Sequence, residues 1–223
     1  MITSILSVGD SFTFGEELES RDNAYPCLVA RKIGATVTNM AKPGSGNKRM
    51  VRYIIDQVSA GEIPDLIIIG WSSPGRIEFA DESGFFDLWP GYGGRAFMAE
   101  QPWRSELLDY INRYHSAFYL YKQHILDVIL IQSFLNQKNI KYVMLKTVGN
   151  EYYYNTNHSK LDNSMTGHYD LIDTTKYIGW PGDGMAEWTQ GCPKGVGGHF
   201  LDEGHQRVAD KVYEHIRNLG WLS

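Results

Sequence analysis

Residues Leu66-Ile67-Ile68-Ile69-Gly70 constrain the fold more than any other stretch of this chain. The run has no polar face to turn to water, is entered through Pro64-Asp65, and is too short for a buried helix. It fits a strand covered on both sides, as the central strand of a parallel sheet must be. Ile2 to Val8 reads as a second short buried strand, closed by Gly9-Asp10. Thr36-Val37-Thr38-Asn39-Met40 and Lys141 to Thr147 read as two more. Helical spacing falls between them. Residues 23–33 place Leu28, Val29 and Ile33 on one face, with Asn23 as N-cap. Lys48 to Ser59 repeats through Met50/Val51, Ile54/Ile55 and Val58. A longer stretch from Arg104 to Asn136 is expected to break near His115. Asp202 to Leu219 forms the last helix, with Asp202 as its cap and Gly220 just past its end. Strands alternating with helices, and no hairpin pairs between them, predict a parallel sheet with crossover helices. The order 2-1-3-4, with room for a fifth strand, is flavodoxin-like. Such α/β sheets bind ligands at the carboxyl ends of their strands.

The 223 residues fit a single domain spanning 1–223. Two segments, 72–103 and 149–198, lack a sustained period and are rich in Gly and aromatic residues. They are expected to be loop or cap insertions, and long loops in compact domains carry function. The net charge is −5, from 21 Lys and Arg against 26 Asp and Glu, with no basic block. That excludes sequence-independent nucleic-acid binding. No apolar run approaches the ~20 residues that span a bilayer. The first residues lack the basic region of a secretory signal, so a soluble, cytoplasmic protein is expected. Cys27 and Cys192 lie far apart and form no CxxC, as expected of reduced thiols.

Three turns converge at the carboxyl edge of the expected sheet: Asp10-Ser11, Gly44 to Asn47, and Gly70 to Ser73. In Gly9-Asp10-Ser11-Phe12-Thr13 the hydroxyl of Ser11 follows a strand directly. If a helical turn comes next, free backbone N–H groups surround it. An exposed hydroxyl beside free N–H groups suits a nucleophile and its oxyanion hole. The plain alternative is a Ser/Asp turn. The segment is not the Gly-x-Ser-x-Gly nucleophile elbow.

Ser7-Val8-Gly9-Asp10-Ser11-Phe12-Thr13-Phe14-Gly15 resembles the first block of the SGNH (GDSL-type) hydrolase superfamily. Asn39-Met40-Ala41-Lys42-Pro43-Gly44-Ser45-Gly46-Asn47 resembles the second, in which Gly44 matches the oxyanion-hole glycine. The third block, Gly-x-Asn-Asp in the family, is here Gly70-Trp71-Ser72-Ser73. Ser72 stands where the family Asn supplies a side-chain donor. Either the oxyanion hole is rebuilt, with Asn47, or activity is reduced. In the C-terminal block His199-Phe200-Leu201-Asp202-Glu203-Gly204-His205 keeps the family's continuation when His199 is taken as the base. His205 would lie inside the last helix. In this register the family Asp falls on Val196. A backbone carbonyl could then complete a Ser–His dyad, or Asp183 could supply the third member. The form of the motifs resembles small phage-encoded SGNH-like proteins, which adds a virion-associated location to the expectations.

The resemblance implies a three-layer α/β/α fold and hydrolysis of an ester through an acyl-serine, without a metal or organic cofactor. Ser11 would be the nucleophile and His199 the base. Backbone N–H groups of Ser11 and Gly44, with Ser72 or Asn47, would form the oxyanion hole. The expected substrate is an acylated, for example acetylated, carbohydrate or another small ester. Trp89, Tyr92 and Trp103 are expected to stack on it, or else to form a hydrophobic plug or oligomer contact. Asp10 and Trp71, at the same strand ends, complete the expected substrate contacts. The two departures also leave open a catalytically degraded binding or structural protein on this fold, for example a virion component. His199, Asp202 and His205 could instead bind a metal only if all three were helical. The Gly44–Asn47 turn could hold a phosphate but lacks a P-loop Lys. Asn157-His158-Ser159 fits a glycosylation sequon. His115, His124 and His215 are expected to pack or face solvent.

Overall fold

The computed structural model describes residues 1–82, 84–88, 103–147 and 168–222. β1 (Ser4–Val8), β2 (Thr36–Asn39), β3 (Leu66–Trp71), β6 (Lys141–Lys146) and β7 (Tyr177–Ile178) form one sheet in the order β2-β1-β3-β6-β7. Every pairing in it is parallel. This is the expected flavodoxin-like order, with β7 as the fifth strand. Each residue of β3 is buried, because alternate side chains enter different cores. Ile67, Ile69 and Trp71 face Met50 and Ile54 of α3 (Asn47–Ser59) and Ile125 and Val128 of α5 (Ala117–Gln137). Leu66 and Ile68 face Leu28 and Val29 of α2 (Tyr25–Ile33) and Val208 and Val212 of α7 (Asp202–Asn218). Helices thus cover both sides of the sheet, in three layers. Truncating Ile68, fully buried in this arrangement, to Ala should cost about 2–5 kcal/mol.

Two glycines let the chain close over the sheet edge. A Cβ on Gly9 would meet the Thr13 side chain at 2.1 Å, and one on Gly70 would meet it at 2.3 Å. Thr13 of the four-residue helix α1 (Ser11–Phe14) therefore wedges between the ends of β1 and β3.

Several local expectations need correction. The segment 72–103 contains an antiparallel hairpin, β4 (Ile77–Asp81) with β5 (Gly84–Leu88). Its strands are only five residues each, too short for their alternation to register as a period. The hairpin is tied to α3 by Arg52–Glu78 at 2.6 Å and by Asp87 accepting the Gly46 N–H at 2.8 Å. The break near His115 is real: α4 (Arg104–Tyr114) ends there, and Ser116 caps α5 by accepting the Tyr119 N–H. Neither expected Asx cap forms. Asn23 closes a 3-10 turn, and its amide donates to Asp202, which is the first helical residue of α7. Within 149–198 the structure adds β7 and α6 (Met185–Trp188). Trp89, Tyr92 and the Asn157 sequon lie outside the described residues. Among the described residues no helix is long and apolar enough to cross a membrane.

Candidate active site

The site is built where α1 meets the loop before α7. Asp10 caps α1 by accepting the Phe12 N–H, and Gly15, at φ 82°, ends the helix. The Ser11 N–H is a first-turn amide that the helix itself leaves without a partner. Opposite lies a tight loop closed by Leu201 N–H donating to Pro193 O and Gly195 N–H donating to His199 O. It holds His199 with Nε2 2.9 Å from Ser11 Oγ. Phe12 packs on the imidazole with ring centroids 4.8 Å apart, and Phe200 packs on Phe12 in turn.

The far nitrogen of His199 meets Glu17, a residue the sequence reading did not single out. Glu17 Oε2 lies 2.8 Å from Nδ1 and also accepts the His199 backbone N–H, while Oε1 accepts the Gly197 N–H. The Gly197 N–H, then the His199 side chain, pull the Glu17 carboxyl below its ordinary range. Glu17 adopts φ 69°, a left-handed conformation worth about 1 kcal/mol or more of strain for a non-glycine residue. The glycines before His199 make room for it. A Cβ on Gly195 would sit 2.5 Å from the Glu17 carboxylate, and one on Gly197 would sit 3.0 Å away. The only trace of this role near Glu17 in the sequence is an acidic pair directly after the helix-ending Gly15; the Gly-rich run that receives it lies 180 residues further on. Val196, where the family pattern has its Asp, is fully exposed.

Asp183 lies elsewhere. Its backbone N–H donates to Gly179 O, and it borders a groove with Trp188, Lys211 and Glu214. His205 also has a separate task. Its ring is buried, Nδ1 accepts the Tyr25 N–H at the start of α2, and burial pushes its pKa down to about 4. His199, Asp202 and His205 therefore diverge toward Ser11, Asn23 and Tyr25 and form no common set.

Two side chains expected in the oxyanion hole are committed to structure. Ser72 Oγ donates to Asp10 Oδ2 at 2.9 Å. Asn47 clasps the Ser72 backbone, accepting its N–H and donating to its carbonyl, and its second amide hydrogen goes to His124 Nδ1. His124 accepts as a neutral ring, consistent with burial pushing its pKa down to about 4. Asp10 is fully buried, so it offers no surface to a substrate. Its Oδ2 gathers Ser72, Thr147 and Arg76, tying the ends of β1, β3 and β6 together. Trp71 is likewise fully buried, edge-on to His124. Trp103 is half-buried against Phe86 of the hairpin. Gly44, at φ 81°, lies in the loop after β2. That loop is moored to the strand 1 end by Lys42 N–H donating to Gly9 O and by Asn39 donating to Thr13 O.

A family model described as a family of unknown function, DUF6071, matches residues 13–223. The chain belongs to that family. A comparison with curated proteins gives no match. Among solved structures, the DUF6071 chain is similar to the psychrotrophic esterase EstA from Pseudoalteromonas sp., at TM-score 0.59 and 12% identity, covering 97% of this chain and 98% of the other. It is similar to a member of the lipolytic protein G-D-S-L family from Veillonella parvula, at TM-score 0.50 and 15% identity, covering 95% and 97%. It is also similar to an acetyl xylan esterase from the rumen bacterium Butyrivibrio proteoclasticus, at TM-score 0.53 and 15% identity, covering 98% of this chain and 65% of that one. At these identities the likeness establishes the fold, which is that of the SGNH hydrolases.

Proposed function

We propose that the protein is a serine ester hydrolase acting through an acyl-serine intermediate. The observation that carries this reading is the continuous array Ser11 Oγ, His199 and Glu17, with contacts of 2.9 and 2.8 Å, at the carboxyl edge of a parallel sheet. With Glu17 on Nδ1, the neutral imidazole keeps its proton there and presents the Nε2 lone pair to Ser11. Nε2 takes the Ser11 proton as Oγ attacks the ester carbonyl. Glu17 stabilises the imidazolium that results. The backbone N–H groups of Ser11 and Gly44 meet the oxyanion, since Ser72 and Asn47 are occupied elsewhere. Nε2–H then protonates the departing alcohol, and water releases the acyl group by the reverse sequence. An acylated carbohydrate or another small ester is the substrate class we favour. The esterases of this fold, one of them an acetyl xylan esterase, support that choice.

A second reading, a binding protein that has lost catalysis, is favoured by one observation: among the described residues the two expected side-chain oxyanion donors, Ser72 and Asn47, are engaged elsewhere. The test is labelling with a fluorophosphonate probe, followed by mapping of the modified residue. Turnover of p-nitrophenyl acetate by wild type and Ser11→Ala accompanies it. Labelling at Ser11, with a rate loss of about 10³-fold or more in the variant, is expected. Equal rates and no adduct would leave the binding reading in place of the enzymatic one.

A further inference from the structure

His199 meets a second carboxylate, and it lies on the other side of the ring. Glu16 Oε2 is 3.6 Å from Nε2, the same nitrogen that contacts Ser11. The backbone fixes this placement. Gly15 and Glu16 both donate their N–H to Ser11 O, closing α1 through the left-handed Gly15. Glu17, left-handed in turn, then throws the two neighbouring carboxylates to opposite nitrogens of one imidazole.

The two carboxylates are not equivalent. Glu17 holds three donors. Among the described residues no N–H or O–H donates to Glu16, and its side chain is 41% exposed. At 3.6 Å it is too far for a hydrogen bond with Nε2. An ionised carboxylate only accepts, so Glu16 is an unfilled acceptor beside the proton-transferring atom.

On the esterase reading above, that location has a specific meaning. The departing alcohol oxygen must come within about 3 Å of Nε2 to take its proton. Glu16 therefore borders the alcohol half of the ester. We propose that Glu16 selects the leaving group: it accepts a hydrogen bond from a hydroxyl one or two carbons from the ester oxygen, as in a sugar or polyol ester. By the same charge it disfavours an alcohol half bearing a carboxylate or phosphate. The bonds made and broken are those of the acyl transfer itself. The ester C–O bond breaks, Nε2–H passes to the alcohol oxygen, and Glu16 holds the neighbouring hydroxyl without taking part in proton transfer.

The test compares three acetate esters of similar size. 2-Hydroxyethyl acetate carries the donor, 2-methoxyethyl acetate lacks it, and acetoxyacetate is anionic. The readout is the ratio of kcat/KM values within each protein, for wild type, Glu16→Gln and Glu16→Ala. A hydrogen bond to a half-exposed charge should give wild type about a tenfold preference for the hydroxyl over the methoxy ester. That preference should fall to about unity in Glu16→Ala. Glu16→Gln, which keeps an acceptor without the charge, should retain part of the hydroxyl preference and lose the discrimination against acetoxyacetate. Ratios unchanged in Glu16→Ala, with Ser11 still labelled by the fluorophosphonate, would overturn this assignment alone. No labelling and no turnover of any ester would overturn the esterase reading and this one with it.

Discussion

The carboxylate of Glu17 holds His199 at two points, 2.8 Å from Nδ1 and 3.1 Å from the backbone nitrogen of the same residue. Side chain and main chain of the histidine are thus clamped by one group, which fixes the ring's tilt as well as its tautomer. If Glu17 orients the base as proposed, Glu17→Gln should lower kcat for p-nitrophenyl acetate by about 10²- to 10⁴-fold with little change in KM. The glutamine amide would place an N–H against the N–H groups that the carboxylate now accepts. Steady-state kinetics decide this, and a rate within about threefold of wild type would remove Glu17 from the mechanism.

Gly195 offers an independent way to move the same carboxylate. A methyl group there would sit 2.5 Å from the Glu17 carboxyl atoms, with no room to yield without unclamping His199. Gly195→Ala should therefore reproduce most of the rate loss of Glu17→Ala. The double variant should be no slower than Glu17→Ala alone, because both changes break one contact. Additive losses would show that Gly195 acts on something else.

Ser72 separates a structural role from a catalytic one. Its hydroxyl is one of four donors to the buried Asp10 carboxylate, with Phe12 N–H, Thr147 Oγ1 and Arg76 Nη1. Ser72→Ala should cost about 1–3 kcal/mol of stability, read from urea denaturation. Its effect on kcat should stay below about tenfold, against the 10²- to 10³-fold typical of a lost oxyanion donor. A large kcat loss at unchanged stability would return Ser72 to the oxyanion hole.

The two buried histidines contribute to the acid limb of stability between pH 4 and 6.5. His124 and His205 are pushed down to about 4 by burial, against about 6.5 in an unfolded chain. Between those values the unfolded chain binds more protons. Stability therefore falls as pH drops from 6.5 toward 4, and this loss levels off below. Each histidine should contribute a slope approaching about 1.4 kcal/mol per pH unit in that window. His205→Gln, which keeps an acceptor for the Tyr25 N–H, should remove one of the two contributions. Urea midpoints of wild type and variant between pH 4 and 7 measure the difference.

The sheet was legible because β3 has no polar residue and the other long strands sit between helices of clear period. The strand 1 and strand 2 turns also announced themselves, since a strand running into Gly-Asp-Ser, or into a Gly-rich turn, has few other uses. Contacts between carboxylates and distant backbone N–H groups were not legible. Nothing in the local sequence of Glu17 indicates that residues 180 positions later leave a glycine-lined space for it. Asp10 and Trp71 misled for the opposite reason. They lie at the right strand ends, but full burial turns them inward. The short hairpin escaped because five-residue strands carry too little pattern, and what holds it in place is Arg52 and Arg49 of α3 and the Gly46 N–H just before that helix.

Ser11 and Glu17 come from one short stretch of chain, whereas His199 lies 188 residues beyond Ser11. During synthesis at roughly 5–20 residues per second, that interval lasts on the order of 10–40 s. Throughout it the proposed nucleophile, Ser11, would stand without its proposed base, even with β1, β2 and β3 already paired. Only when the loop after Pro193 docks, and α7 settles on α2, does the hydroxyl gain a proton acceptor. On the esterase reading, a chain still on the ribosome would be harmless to esters around it, and the onset of activity would report the docking of this loop.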